Sequence, residues 1–105
     1  MTACVARVPT QHASRYLQQL AKHWSHKMAV TFSPEEATIA FPTGARLELR
    51  ADTDTLDVRL AVPPDGDEER MRKVVAEHLD RFAFREAPLT FDWQAAGDTG
   101  SAPPR

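Results

Sequence analysis

The sequence predicts an α+β fold, a two-layer sandwich in which an antiparallel sheet carries two helices on one face. Three observations predict it. Ala13, Tyr16, Leu17, Leu20, Ala21 and Trp24 recur at the three-and-four spacing of a helix with one buried stripe. Met71, Val74, Val75, His78, Leu79 and Phe82 repeat that spacing near the other end of the chain. Between the two, apolar and polar residues alternate over several short runs, the period of strands covered on one side only.

Ala3 to Val8, small and β-branched, reads as a first strand that Pro9 ends. Thr10 then caps the first helix, its hydroxyl accepting from a backbone amide two or three residues on, and the helix runs to about His26. Met28, Val30 and Phe32 form the inner face of the next strand, and Ser33 to Glu36 its turn. Ile39 and Phe41 follow, and the Pro42, Thr43, Gly44 turn makes a hairpin, with Gly44 supplying any positive φ. Ala45, Leu47, Leu49 and Ala51 then point one way while Arg46, Glu48 and Arg50 point the other. Leu56, Val58, Leu60 and Val62 repeat the alternation against Asp57 and Arg59, so one sheet face is apolar and the other charged.

Pro63 and Pro64 end that strand, and Asp65 with Glu68 three residues later has the form of a capping box opening the second helix. Glu68 to Arg72, Glu69 to Lys73 and Glu77 to Arg81 are acid-before-base pairs four apart. Pro88 stops the helix, and Leu89, Phe91 and Trp93 alternate as a last strand. The order β-α-β-β-β-β-α-β resembles the TATA-binding-protein-like architecture, a likeness of fold that carries no function. Residues 1–94 are expected to form a single domain, and the small, polar, Pro/Gly-rich segment 95–105 a disordered tail.

Composition bounds the function classes. A chain of 105 residues, 42% hydrophobic and 27% charged, has room for one core. Its 13 basic and 15 acidic residues are interspersed and sum to −2, so no basic arm draws it to nucleic acid or to a membrane surface. Cys4 is the only cysteine, which excludes an internal disulfide. No signal-peptide pattern and no apolar run of membrane-spanning length is present, and a cytoplasmic location is expected.

Arg15-Tyr16-Leu17, His23-Trp24 and His26-Lys27 in the first helix, then His78-Leu79 and Arg81-Phe82-Ala83-Phe84-Arg85-Glu86 in the second, together resemble the small bacterial family catalogued as Domain of Unknown Function 2218. The likeness spans about Ala3 to Trp93. It implies no established activity. It does imply company: such domains occur alone or joined to flavin-dependent siderophore-interacting reductases, which act in ferric iron uptake.

Among individual residues, His78 interrupts an apolar stripe, where an ionisable ring must be hydrogen-bonded, either to a backbone carbonyl or to a facing residue. Tyr16 on the first helix is the expected partner if the helices lie side by side. His23 and His26, three apart, can share a metal only if a third ligand arrives from elsewhere; His12 lies about 16 Å away along the axis. Arg46, Arg50 and Arg59 sit on the open sheet face and suit carboxylate or phosphate recognition. No Gly-x-Ser-x-Gly elbow, phosphate-binding glycine loop or metal-binding His-Glu-x-x-His string occurs.

These readings combine into a non-enzymatic accessory or binding module without a cofactor. Arg46, Arg50 and Arg59 form its partner-facing surface, and Tyr16 and His78 shape its interior. A siderophore-interacting reductase is the partner the resemblance suggests, and a homodimer through the open sheet face or an edge strand is compatible with it. The alternative is a small-ligand or metal sensor using His23, His26 and His78.

Overall fold

The computed structural model describes residues 2–96. Its elements are β1 (Thr2–Pro9), α1 (Ala13–Ser25), β2 (Ala29–Phe32), β3 (Glu36–Ala40), β4 (Arg46–Ala51), β5 (Thr55–Val62), α2 (Glu68–Phe82) and β6 (Gln94–Ala96). The fold is α+β, in the element order expected. All six strands join one antiparallel sheet in the order β2-β3-β4-β5-β1-β6, so β1 lies between β5 and β6. None of the helices is long and apolar enough to cross a membrane.

Both helices pack on the same side of the sheet, α1 across β2 to β5 and α2 against β5 and α1. Cys4, Ala6 and Val8 of β1 and Leu56, Val58, Leu60 and Val62 of β5 face them, with Leu47, Leu49 and Ile39 beside. Leu17, Leu20, Trp24, Val75 and Leu79 close the core from the helices. Each large aliphatic side chain sealed there contributes roughly 1.5–3 kcal/mol, which is what holds the two layers together. Phe32, expected on the inner face, is instead 40% exposed, because β2 is the edge of the sheet and the helix layer does not reach over its end.

Two glycines are required by geometry. Gly44, at φ +95°, closes the β3–β4 hairpin. Gly66 packs so closely on β5 that a Cβ there would lie 2.5 Å from Val62 Cγ1. That tight turn moves the start of α2: the N-cap is Asp67, whose Oδ1 accepts from the Arg70 amide at 3.1 Å, and not Asp65. Of the three acid-base pairs expected along α2, only Glu68–Arg72 closes among the described residues, at 2.5 Å. It is also the half-buried one, whereas solvent offers the other pairs little gain for holding two long side chains still.

At the front of α1, Thr10 Oγ1 accepts from the His12 amide at 3.1 Å, but the N-cap position belongs to His12, which makes no side-chain cap bond. The last strand is also displaced. Leu89 to Trp93 run without regular structure, Leu89 tied through its amide to Asp80 Oδ1 at 2.8 Å, and Phe91 and Trp93 pack on the core as partly buried rings. Pairing with β1 begins only at Gln94. Ala95 and Ala96, expected in the tail, belong to β6, and 97–105 lie outside the described residues.

Candidate functional site

The sheet face away from the helices is open. Arg46, Arg50 and Arg59 all project from it, as the alternation along β4 and β5 requires. Strand register arranges that face in three rows. The first runs Glu36, Arg50, Asp57, Arg7 across β3, β4, β5 and β1. The second runs Thr31, Thr38, Glu48, Arg59, Val5, Gln94 across all six strands. The third holds Ala29, Ala40, Arg46, Ala61, Ala3 and Ala96.

The first row, and the second from Thr38 to Val5, line a shallow dish of about 650 Å³. Ion pairs link Arg7 to Asp57 at 3.2 Å, Arg46 to Glu48 at 3.5 Å and Arg59 to the other Glu48 oxygen at 3.9 Å. These side chains are substantially exposed, so each pair is worth at most about 1 kcal/mol and exchanges easily for a better partner. Arg50 stands between Glu36 and Asp57 in the register and forms no ion pair among the described residues. Arg7, Glu36, Thr38 and Val5 had not been singled out from the sequence. The period-two rule places them on this face as soon as β1 and β3 are paired with their neighbours.

The interior residues are arranged differently from expectation. Tyr16 and His78 do not meet. The Tyr16 hydroxyl donates to the Glu86 carboxylate, which also accepts from Thr10 Oγ1 at 3.0 Å. Burial, and then the Glu86 carboxylate, raise the Tyr16 pKa above its ordinary value. His78 lies further along the helix pair, half-buried, with Nδ1 donating to the Val74 carbonyl at 2.8 Å. Its ring is 4.9 Å from that of Trp24 and 5.6 Å from that of His23. A separation of two to three helical turns between positions 16 and 24 of α1 explains why one stripe reaches Glu86 at one end and His78 at the other.

His23 turns toward α2, its ring 5.8 Å from Phe82, while His26 is the exposed C-cap of α1. Burial, and after it the charges of His78, Lys27, Arg81 and His26, lower the His23 pKa. Among the described residues no group of three or more His, Cys, Asp or Glu side chains is placed to hold a metal ion. Glu86, which the sequence offered only as the end of a familiar string, proves to be the acceptor that fastens the segment after α2 to the start of α1.

At the far side of the core, Cys4 is fully buried beside the Glu68–Arg72 pair, and burial raises its thiol pKa. The Arg72 guanidinium sits 5.7 Å over the Trp93 ring. Thr2 Oγ1 donates to the other Glu68 oxygen at 3.3 Å. The arrangement anchors β1 to α2.

The family model described as "Uncharacterized protein conserved in bacteria (DUF2218)" matches residues 5–94. The NMR structure of PA4090 from Pseudomonas aeruginosa is similar, with a TM-score of 0.74 and 36% sequence identity over 90% of this chain and 96% of that one. No curated protein matches the chain.

Proposed function

The chain belongs to the DUF2218 family of uncharacterised bacterial proteins, and we propose that it is a non-enzymatic binding module whose working surface is the open face of the sheet. One observation carries this reading: the dish of about 650 Å³ on that face is lined by arginines and carboxylates that stand in exposed, exchangeable pairs or, like Arg50, in no ion pair among the described residues. The opposite face is sealed by the helices. Arg46, Arg50 and Arg59 supply the planar guanidinium forks that suit carboxylate recognition on a protein partner.

The accessory role beside a flavin-dependent siderophore-interacting reductase in ferric iron uptake rests on the company that the family resemblance implies. The test is co-purification of the tagged chain with a reductase encoded nearby, for the wild type and for the combined variant Arg46→Glu, Arg50→Glu, Arg59→Glu. Retention by the wild type and loss by the variant is the expected result. Absence of association with both overturns the iron-uptake role. The sensor reading through His23, His26 and His78 predicts instead that added iron or zinc raises the melting temperature, which a thermal shift measurement reads directly.

A further inference from the structure

We propose that the open sheet face is where two copies of this chain meet, related by a two-fold axis running along the strands between β4 and β5. The proposal rests on the reading of that face as the working surface and names its occupant. The midline divides the sheet three strands to three, so rotation sets β4 over β5 of the second copy, β3 over its β1 and β2 over its β6.

Charge selects this arrangement. The first row, Glu36, Arg50, Asp57, Arg7, changes sign on inversion of its order. Rotation therefore places Glu36 opposite Arg7 of the second copy and Arg50 opposite its Asp57, each twice. In the second row Glu48 meets Arg59 of the second copy, again twice. The first row thus gives four opposite-sign contacts and the second row two, with no like-sign contact in either. The other in-plane axis, along the rows, sets Glu48 against Glu48 and Arg59 against Arg59, which costs energy at every step of approach. A purely acidic partner would meet Glu36, Glu48 and Asp57 as well as the arginines, so the alternating pattern fits a surface of matching alternation better than a uniform one.

Shape agrees with charge. The third row is alanine everywhere but Arg46, which keeps its own Glu48 at 3.5 Å, and short side chains there let two sheets approach to the usual spacing of about 10 Å. Rows of four, six and six residues present roughly 500 Å² in plan. Two such faces bury on the order of 1,000 Å², the size of a small, weak interface, as expected for a salt-sensitive dimer.

Analytical ultracentrifugation of the full chain tests this. The wild type is expected to dimerise, with a dissociation constant that rises at least about tenfold from low salt to about 0.5 M NaCl. Arg50→Glu alone and Asp57→Arg alone each place like charges across the axis twice, and each is expected to weaken the dimer by about a hundredfold or more. Mixing the two variants is expected to restore a heterodimer, because the new acid of one then faces the new base of the other. Circular dichroism checks that each variant is folded, and repulsion within one chain is not relieved by mixing.

A wild type that stays monomeric at low salt overturns the proposal, as does a dimer indifferent to both substitutions, or two monomeric variants that fail to recombine. The underlying reading fails separately. A monomeric wild type whose reductase capture is still lost on Arg50→Glu removes only the second copy. Capture indifferent to the arginines removes the face itself.

Discussion

The Tyr16 hydroxyl and the Glu86 carboxylate are hydrogen-bonded across 70 residues of sequence. Tyr16 is only 4% exposed, so the bond fastens the segment following α2 to a buried position on α1. A hydrogen bond to a charged acceptor contributes about 1.5–3 kcal/mol. Tyr16→Phe is expected to lower unfolding stability by that amount in a denaturant titration, while leaving the α1 stripe packed.

Alkaline pH acts through the same pair. The folded pKa of Tyr16 lies above its ordinary 10.0, so its stabilising contribution is complete below pH 10 and is lost as pH rises toward the folded value. Tyr16 is the only tyrosine in the chain, so phenolate absorbance reports this residue alone. Its ionisation midpoint is expected above 10, and Glu86→Gln is expected to bring it down.

Acid acts elsewhere. The lowered His23 pKa means the unfolded chain takes up a proton first, so stability falls as pH drops below 6.5 toward the folded value. Burial alone would push the Glu68 carboxyl up, but hydrogen bonds from Cys4, Arg72 and Thr2 and the Arg72 charge hold it below its ordinary 4.5. Its contribution is present above 4.5 and is lost on further acidification. Melting temperature against pH is expected to fall in two stages, the first flattened by His23→Gln and the second by Glu68→Gln.

The Asp67 carboxylate caps α2 through the Arg70 amide, whereas Asp65 stands outside the helix. Asp67→Ala is expected to cost about 1 kcal/mol, and Asp65→Ala less than about 0.5 kcal/mol. Thermal unfolding of the two variants separates the assignments.

The Cys4 thiol is sealed between β1 and the Glu68–Arg72 pair, and its raised pKa keeps it protonated at neutral pH. A thiol reagent is expected to modify it only as fast as the chain opens. Arg72→Ala, which removes part of that cover and leaves Glu68 unpaired, is expected to speed the reaction.

Periodicity made the layers legible. The α1 stripe from Ala13 to Trp24 is buried throughout, and the alternation in β4 and β5 placed Arg46, Arg50 and Arg59 on the open side. What periodicity does not encode is which strand neighbours which, and therefore that Arg7 lies beside Asp57 and Glu36 beside Arg50. The Tyr16–Glu86 bond was hidden for a similar reason: Glu86 lies beyond α2, where no repeating pattern fixes its direction. Asp65 reads as the cap because Glu68 follows it three residues later, but the close packing of Gly66 on Val62 starts the helix at Asp67 instead. Leu89, Phe91 and Trp93 alternate like a strand because each finds an apolar surface, yet the backbone there never pairs.

The position of β1 between β5 and β6 has a consequence for how the molecule comes into being. The first strand synthesised borders two that are made last, so the hairpins of β2 to β5 can form locally while Thr2 to Pro9 waits for its neighbours. Closing those distant ends costs chain entropy before any contact repays it, which makes sheet completion the slow event of folding. Until then, the edge of β5 that β1 will cover is open to pairing with another chain.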